Sequence, residues 1–134
     1  MPSIKIKGEN FSYEDNEIIN FNEGLIGLPN IRRAVLVPLP DCEPFYWLAS
    51  MDDEKFRFVV VNPSEIFPEY NPSEFVIFND SQTKVLTIVK VSSDWQKTTI
   101  NLRAPILINK ESNRGLQMVL SESPYKLEET LPQN

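Results

Sequence analysis

The 134-residue sequence contains no histidine and only one cysteine. Without histidine there is no Ser-His or Cys-His nucleophile, and the commonest metal ligand is missing. One thiol can form neither an intrachain disulfide nor a structural zinc site, which fits a reducing cytoplasm. Cys42 stands between Asp41 and Glu43, not beside the basic groups that activate a thiol, and reads as a bystander. Glycine is scarce, at four residues against eleven prolines, so the corners of the chain are stiff. Neither "GLIG" nor "NRG" matches a phosphate-binding loop, which needs more glycines and a following helix. No apolar run approaches the ~20 residues of a membrane span. The opening "MPSIKIKGEN" has no apolar core of a signal peptide, and none is expected.

Positive charge is also short. The formal net charge is −6, and Arg32-Arg33 is the one adjacent basic pair. Binding to nucleic acid or an anionic membrane needs a basic face, so neither is expected. An acidic protein does attract basic proteins, including those that bind RNA. Asp52, Asp53 and Glu54 form the densest acidic run, with Asp41 and Glu43 nearby. The run reads as a solvated hairpin turn or as a contact for a basic partner. It lacks the spaced ligands and turn glycine of a calcium loop, and nothing singles out a glycosidase-type carboxylate pair. No metal, cofactor or enzymatic activity is expected.

The pattern that remains is β almost throughout. "SIKIK" alternates, with Ile4 and Ile6 on one face. "EIINF", "AVLVPL", "FYWLAS", "FRFVVV", "VLTIVKV", "TTINL", "APILIN" and "LQMVL" follow, separated by turn residues. Short strands at this spacing predict an all-β, single-domain antiparallel β-barrel-like fold or β-sandwich with proline-rich loops, spanning 1–134. "FYWLAS" and "FRFVVV" read as a hairpin around "MDDEK". "NPSEFVIF" reads as a turn of helix or an edge strand. No internal repeat is found, and the polar residues 121–134 are expected to be loosely held. A monomer is expected.

One loop is unusually apolar. In "FVVVNPSEIFPEY" (58–70) a strand stops at Asn62-Pro63, and Ile66, Phe67, Pro68 and Tyr70 follow. The prolines limit the backbone before anything binds. The aromatics either fold back over an open end of the barrel or form a preformed contact surface. Phe58 to Val61 are assigned to the core, and Phe67 and Tyr70 to a partner surface. Trp47, in mid-strand, is assigned to the core. Trp95, in the turn "SSDWQK", is either a partner contact or a cap on the barrel end.

Five stretches together resemble the FliW family of flagellar assembly factors: "FNEGLIGLPN", "PFYWLASMDD", "FVVVNPSEIFPEY", "NLRAPILIN" and "GLQMVL". They run in the family's order from about residue 4 to 125. The chain departs from the family by a shorter bridge after Tyr70, by Asn22 where proline is common, and by Lys126-Leu127 after Tyr125. The resemblance implies a cytoplasmic bacterial protein, not an enzyme, that binds flagellin before export. It also implies binding to the carbon storage regulator CsrA, which blocks flagellin translation, with the two partners forming a switch. Candidate partner-binding residues are Asn62, Pro63, Phe67, Pro68, Glu69 and Tyr70, with Asp52, Asp53, Trp95, Asn101 and Arg103. The alternative from another class is a small β-barrel module that binds a peptide or sugar.

Overall fold

The computed structural model describes residues 2–132. Among these the fold is all-β, with five single 3₁₀ turns and no longer helix. The strands are β1 (Ser3–Ile6), β2 (Glu9–Ser12), β3 (Ile19–Asn20), β4 (Arg33–Pro38), β5 (Tyr46–Ser50) and β6 (Arg57–Val61). They continue with β7 (Thr83–Lys90), β8 (Thr99–Ile100), β9 (Ile106–Asn109), β10 (Gly115–Gln117) and β11 (Glu129–Thr130). The predicted hairpin is β5–β6, paired in register through Leu48 and Phe58.

One antiparallel sheet runs in the order β10-β9-β7-β6-β5-β4-β3, with β8 and β11 attached beside β7. Its two ends meet at a single parallel bridge between Asn20 and Arg114, where the Asn20 N–H donates to the Asn113 carbonyl at 2.9 Å. The sheet therefore curls like a barrel without closing into one. Alternation along each strand divides its side chains between two faces. Phe21, Leu48, Val60, Leu86, Ile106 and Ile108 fill the inner face. The outer face carries two further clusters. One, around Val35, Val37 and Ala49, lies under the β1–β2 hairpin. The other, around Val61, Val89, Ile100 and Leu102, lies under the loop 62–78 and the C-terminal segment.

The β1–β2 hairpin turns on Lys7-Gly8, both at positive φ (52° and 83°). That geometry matches the right-handed twist of a two-residue hairpin. β2 is not legible as a strand because "ENFS" carries one apolar side chain. Trp47 is half-buried, not fully in the core, with Lys7 and Arg57 cations 5.3 and 5.6 Å from its ring centroid. Val60 and Val61 are fully buried and Phe58 and Val59 partly so.

Two expectations are corrected. A repeat does exist: Asn-Pro-Ser-Glu occurs at 62–65 and again at 71–74. Both copies place proline at the start of a 3₁₀ turn, Pro63–Glu65 and Pro72–Glu74, where its fixed φ fits and its missing N–H costs nothing. The tail is not loose within the described residues. Leu131 and Ser123 are buried, and β11 pairs with β8; residues 133–134 of the expected tail lie outside the described residues.

Gly115 sets the seam where the sheet ends meet. A Cβ there would lie 2.3 Å from Phe21 Cε1, and Phe21 has no exposed surface through which to move aside. Gly115→Ala is expected to lower stability by roughly 1–3 kcal/mol, the usual cost of overpacking, measured as the shift in a urea unfolding midpoint. Wild-type stability in that variant would show that Phe21 can yield.

Candidate functional site: the proline-rich loop and the groove beside it

The loop 62–78 is built from its own short-range bonds. Asn62 Oδ1 accepts from Ser64 N and Ser64 Oγ, at 3.1 and 2.8 Å. The Pro63 carbonyl accepts from Ile66 N and Phe67 N, and the Phe67 carbonyl from Tyr70 N. These turns aim Ile66, Phe67, Phe75 and Val76 at the outer cluster, against which all four pack partly buried.

Tyr70 is in the core, not on the surface where the sequence reading placed it. Its ring is 9% exposed. Its hydroxyl donates to the Leu102 carbonyl at 2.7 Å, and burial followed by the neighbouring Tyr125 pushes its ionisation well above the ordinary tyrosine range. The two rings lie 4.6 Å apart between centroids. The Tyr125 hydroxyl accepts from Asn71 N at 2.9 Å. Pro63 is also buried, and Phe67 is half-buried. Pro68, Glu69 and Asn62 remain exposed. For Tyr70 the lid alternative is the one the structure adopts.

Asn101 and Arg103 serve the fold. Asn101 Oδ1 accepts from Arg103 N and Ala104 N, at 3.1 and 3.0 Å, which turns the chain out of β8. The Arg103 guanidinium then donates to three carbonyls of the C-terminal segment: Ser121 at 3.0 Å, Tyr125 at 3.2 Å and Ser123 at 3.4 Å. No sequence pattern marks these acceptors, since backbone carbonyls carry no residue signature.

Asp52 is also engaged. Its Oδ2 accepts from the N–H groups of Arg32 and Arg33 at 3.1 and 2.9 Å, and its Oδ1 pairs with the Arg33 guanidinium at 3.3 Å. Partial burial pushes its carboxyl up, but those two N–H bonds and the Arg33 guanidinium together outweigh it and hold the group below the ordinary carboxylate range. Asp53 and Glu54 are left facing solvent at the β5–β6 turn. Trp95 is 53% exposed and meets Phe45 edge to face at 5.9 Å. Of the candidate residues, Pro63 and Tyr70 are thus buried and cannot be part of an exposed surface.

A feature that the sequence reading missed lies beside the loop. Two cavities, about 370 and 460 Å³, flank a saddle made by Lys84 and Lys110, which line both. The first has Ile19, Leu36 and Ile108 in its wall. The second is walled by Pro63, Pro72, Phe78 and Val85, with Asn62 and Tyr70 at its edge. Among the described residues no group of three or more His, Cys, Asp or Glu could hold a metal ion.

Comparison with known proteins fits this architecture. A sequence model of the FliW protein family matches residues 5–131. The chain belongs to the FliW family. It is 38% identical to the flagellar assembly factor FliW of Clostridium botulinum strain Alaska E43, over 95% of this chain and 94% of that one. It is 37% identical to the FliW of Caldicellulosiruptor bescii, over 97% and 89%. A crystal structure of the flagellar assembly factor FliW superposes with a TM-score of 0.85 at 27% identity, covering 98% of this chain and 99% of that one. In this FliW chain, the stretches that carried the resemblance are largely those that bind loop, sheet break and tail together.

Tyr70→Phe removes only the donor to Leu102. The carbonyl is left buried without that partner, and a loss of about 1–2 kcal/mol is expected, measured by urea unfolding. An unchanged midpoint would mean that the bond contributes nothing net.

Proposed function

We propose that this protein is a flagellar assembly factor of the cytoplasm that binds flagellin and, when flagellin is exported, antagonises the translational regulator CsrA. The observation that carries the reading is the unbroken family match over residues 5–131, supported by relatives that bear the name flagellar assembly factor over nearly their whole length. The chemistry is compatible. The protein has no histidine and carries a net charge of −6. An acidic body held near an RNA-binding surface repels phosphate and favours a basic partner. Apart from Asp52, the exposed members of the candidate set are Asn62, Asp53, Pro68, Glu69 and Trp95, with Phe67 half-accessible. They are the contacts proposed for the partners, whereas Asp52, Pro63, Tyr70, Asn101 and Arg103 hold the surface in shape.

A switch requires that the two partners oppose each other. Saturating flagellin is expected to weaken binding of the regulator at least about tenfold, a coupling of ~1.4 kcal/mol, and linkage demands the same factor in reverse. Calorimetric titration of CsrA into the protein, with and without flagellin, measures it. Equal affinities in the two titrations would end the partner-switch reading.

A further inference from the structure

Lys84 and Lys110 are brought together by strand register. Lys84 pairs with Ile108 across β7 and β9, and Lys110 follows two residues later, its N–H donating to the Gln82 carbonyl at 2.8 Å. Both positions share the inner-face parity of Leu86, Ile106 and Ile108. The two lysines are therefore diagonal neighbours, about 7–8 Å apart at the backbone and within reach of one another's long side chains. Neither lysine takes part in an ion pair among the described residues, where the two pairs are Arg33–Asp52 and Lys90–Glu128. The one carboxylate lining the first cavity is Glu17, and its Oε1 already accepts from Glu14 N at 2.8 Å. The second cavity has no carboxylate in its wall. Lys84 also lines a smaller cavity with Glu65, but on a chain of net charge −6 two cations without an ion pair among the described residues, set between two partly apolar cavities, select for an anion with apolar groups on both sides.

We propose that this saddle binds an acidic residue of an extended peptide segment of a partner protein, its carboxylate on Lys84 and Lys110 and its apolar neighbours in the two cavities. An extended peptide places side chains i−2, i and i+2 on one side, each about 6.5–7 Å from the next. The recognised pattern is then apolar-x-acidic-x-apolar. One apolar side chain sits against Ile19, Leu36 and Ile108, and the other against Pro63, Pro72, Phe78 and Val85. Loop 62–78 thereby acts through its inner wall, with Asn62-Pro63 forming part of the groove. The inference concerns this groove alone and stands or falls apart from the partner pair proposed above.

The test uses the whole protein and three blocked pentapeptides: acetyl-Leu-Ser-Glu-Ser-Leu-amide and the same peptide with glutamine or lysine at the centre. Backbone amide shifts are followed by NMR. The glutamate peptide is expected to move the signals of Ser64 and of residues 84–85 and 108–113, and to bind roughly tenfold more tightly than the glutamine peptide, in line with the strength of charged hydrogen bonds. The lysine peptide is expected not to bind. Lys84→Gln with Lys110→Gln should abolish the preference for glutamate without moving the unfolding midpoint, because both side chains are exposed. If that variant does not fold, the glutamate–glutamine comparison on the wild type still decides. Equal affinity for the glutamate and glutamine peptides, shifts confined to another surface, or no shifts at several millimolar peptide would each overturn the proposal.

Discussion

The structure depends on one break in a strand. β8 and β9 are two halves of a single partner for β7, aligned at Val89–Ile100 and again at Leu86–Ile106. Between these points Thr87 and Ile88 face the five residues 101–105. The extra residues are thrown outward as a wide bulge, and the Asn101 side chain fixes its shape by accepting two backbone N–H groups. Asparagine mimics a backbone turn in this way at little cost. Pro105, which is buried and has no N–H to orphan, leads the chain back into β9.

What the bulge displaces then organises the outer face. The Leu102 side chain enters the outer cluster while its carbonyl accepts from Tyr70 and its N–H donates to the Lys126 carbonyl at 3.0 Å. Arg103 holds three more carbonyls of the same tail. Tyr125 closes the circuit, touching the rings of Tyr70 and Phe75 and accepting from Asn71. Loop and tail thus cover Val61, Val89 and Ile100 as one unit. The polar groups drawn inward are accounted for: among the described residues no buried side-chain nitrogen or oxygen lacks a hydrogen-bond partner. Thr87 donates to Val61 and Ser123 to Leu120. Such satisfaction matters because an unpaired buried polar group costs more than a made hydrogen bond returns.

The strands were legible where side chains alternate or run apolar, as in "SIKIK", "FYWLAS" and "VLTIVKV". β2 and β11 were not, because "ENFS" and Glu129–Thr130 are polar edges whose pairing is decided by their neighbours. Tyr70 misled because a lid and a contact surface have the same composition; the difference is a carbonyl 32 residues away. The "NPSE" repeat is visible in the sequence and marks two 3₁₀ turns, of which only the first is capped by its asparagine side chain. The Lys84–Lys110 saddle was hidden for another reason. Nothing in the sequence says that residue 84 pairs with 108, and a one-residue slip between β7 and β9 would have put the two lysines on opposite faces.

The bulge couples loop and tail into one cover. Hydrogen exchange of the Arg103→Ala variant tests it most directly, because this change cuts the tail bonds without touching the loop. Amides of residues 64–76 and of 120–131 are expected to lose protection together, while those of β4, β5 and β6 keep theirs. Loss confined to the tail, with the loop as protected as in the wild type, would contradict it.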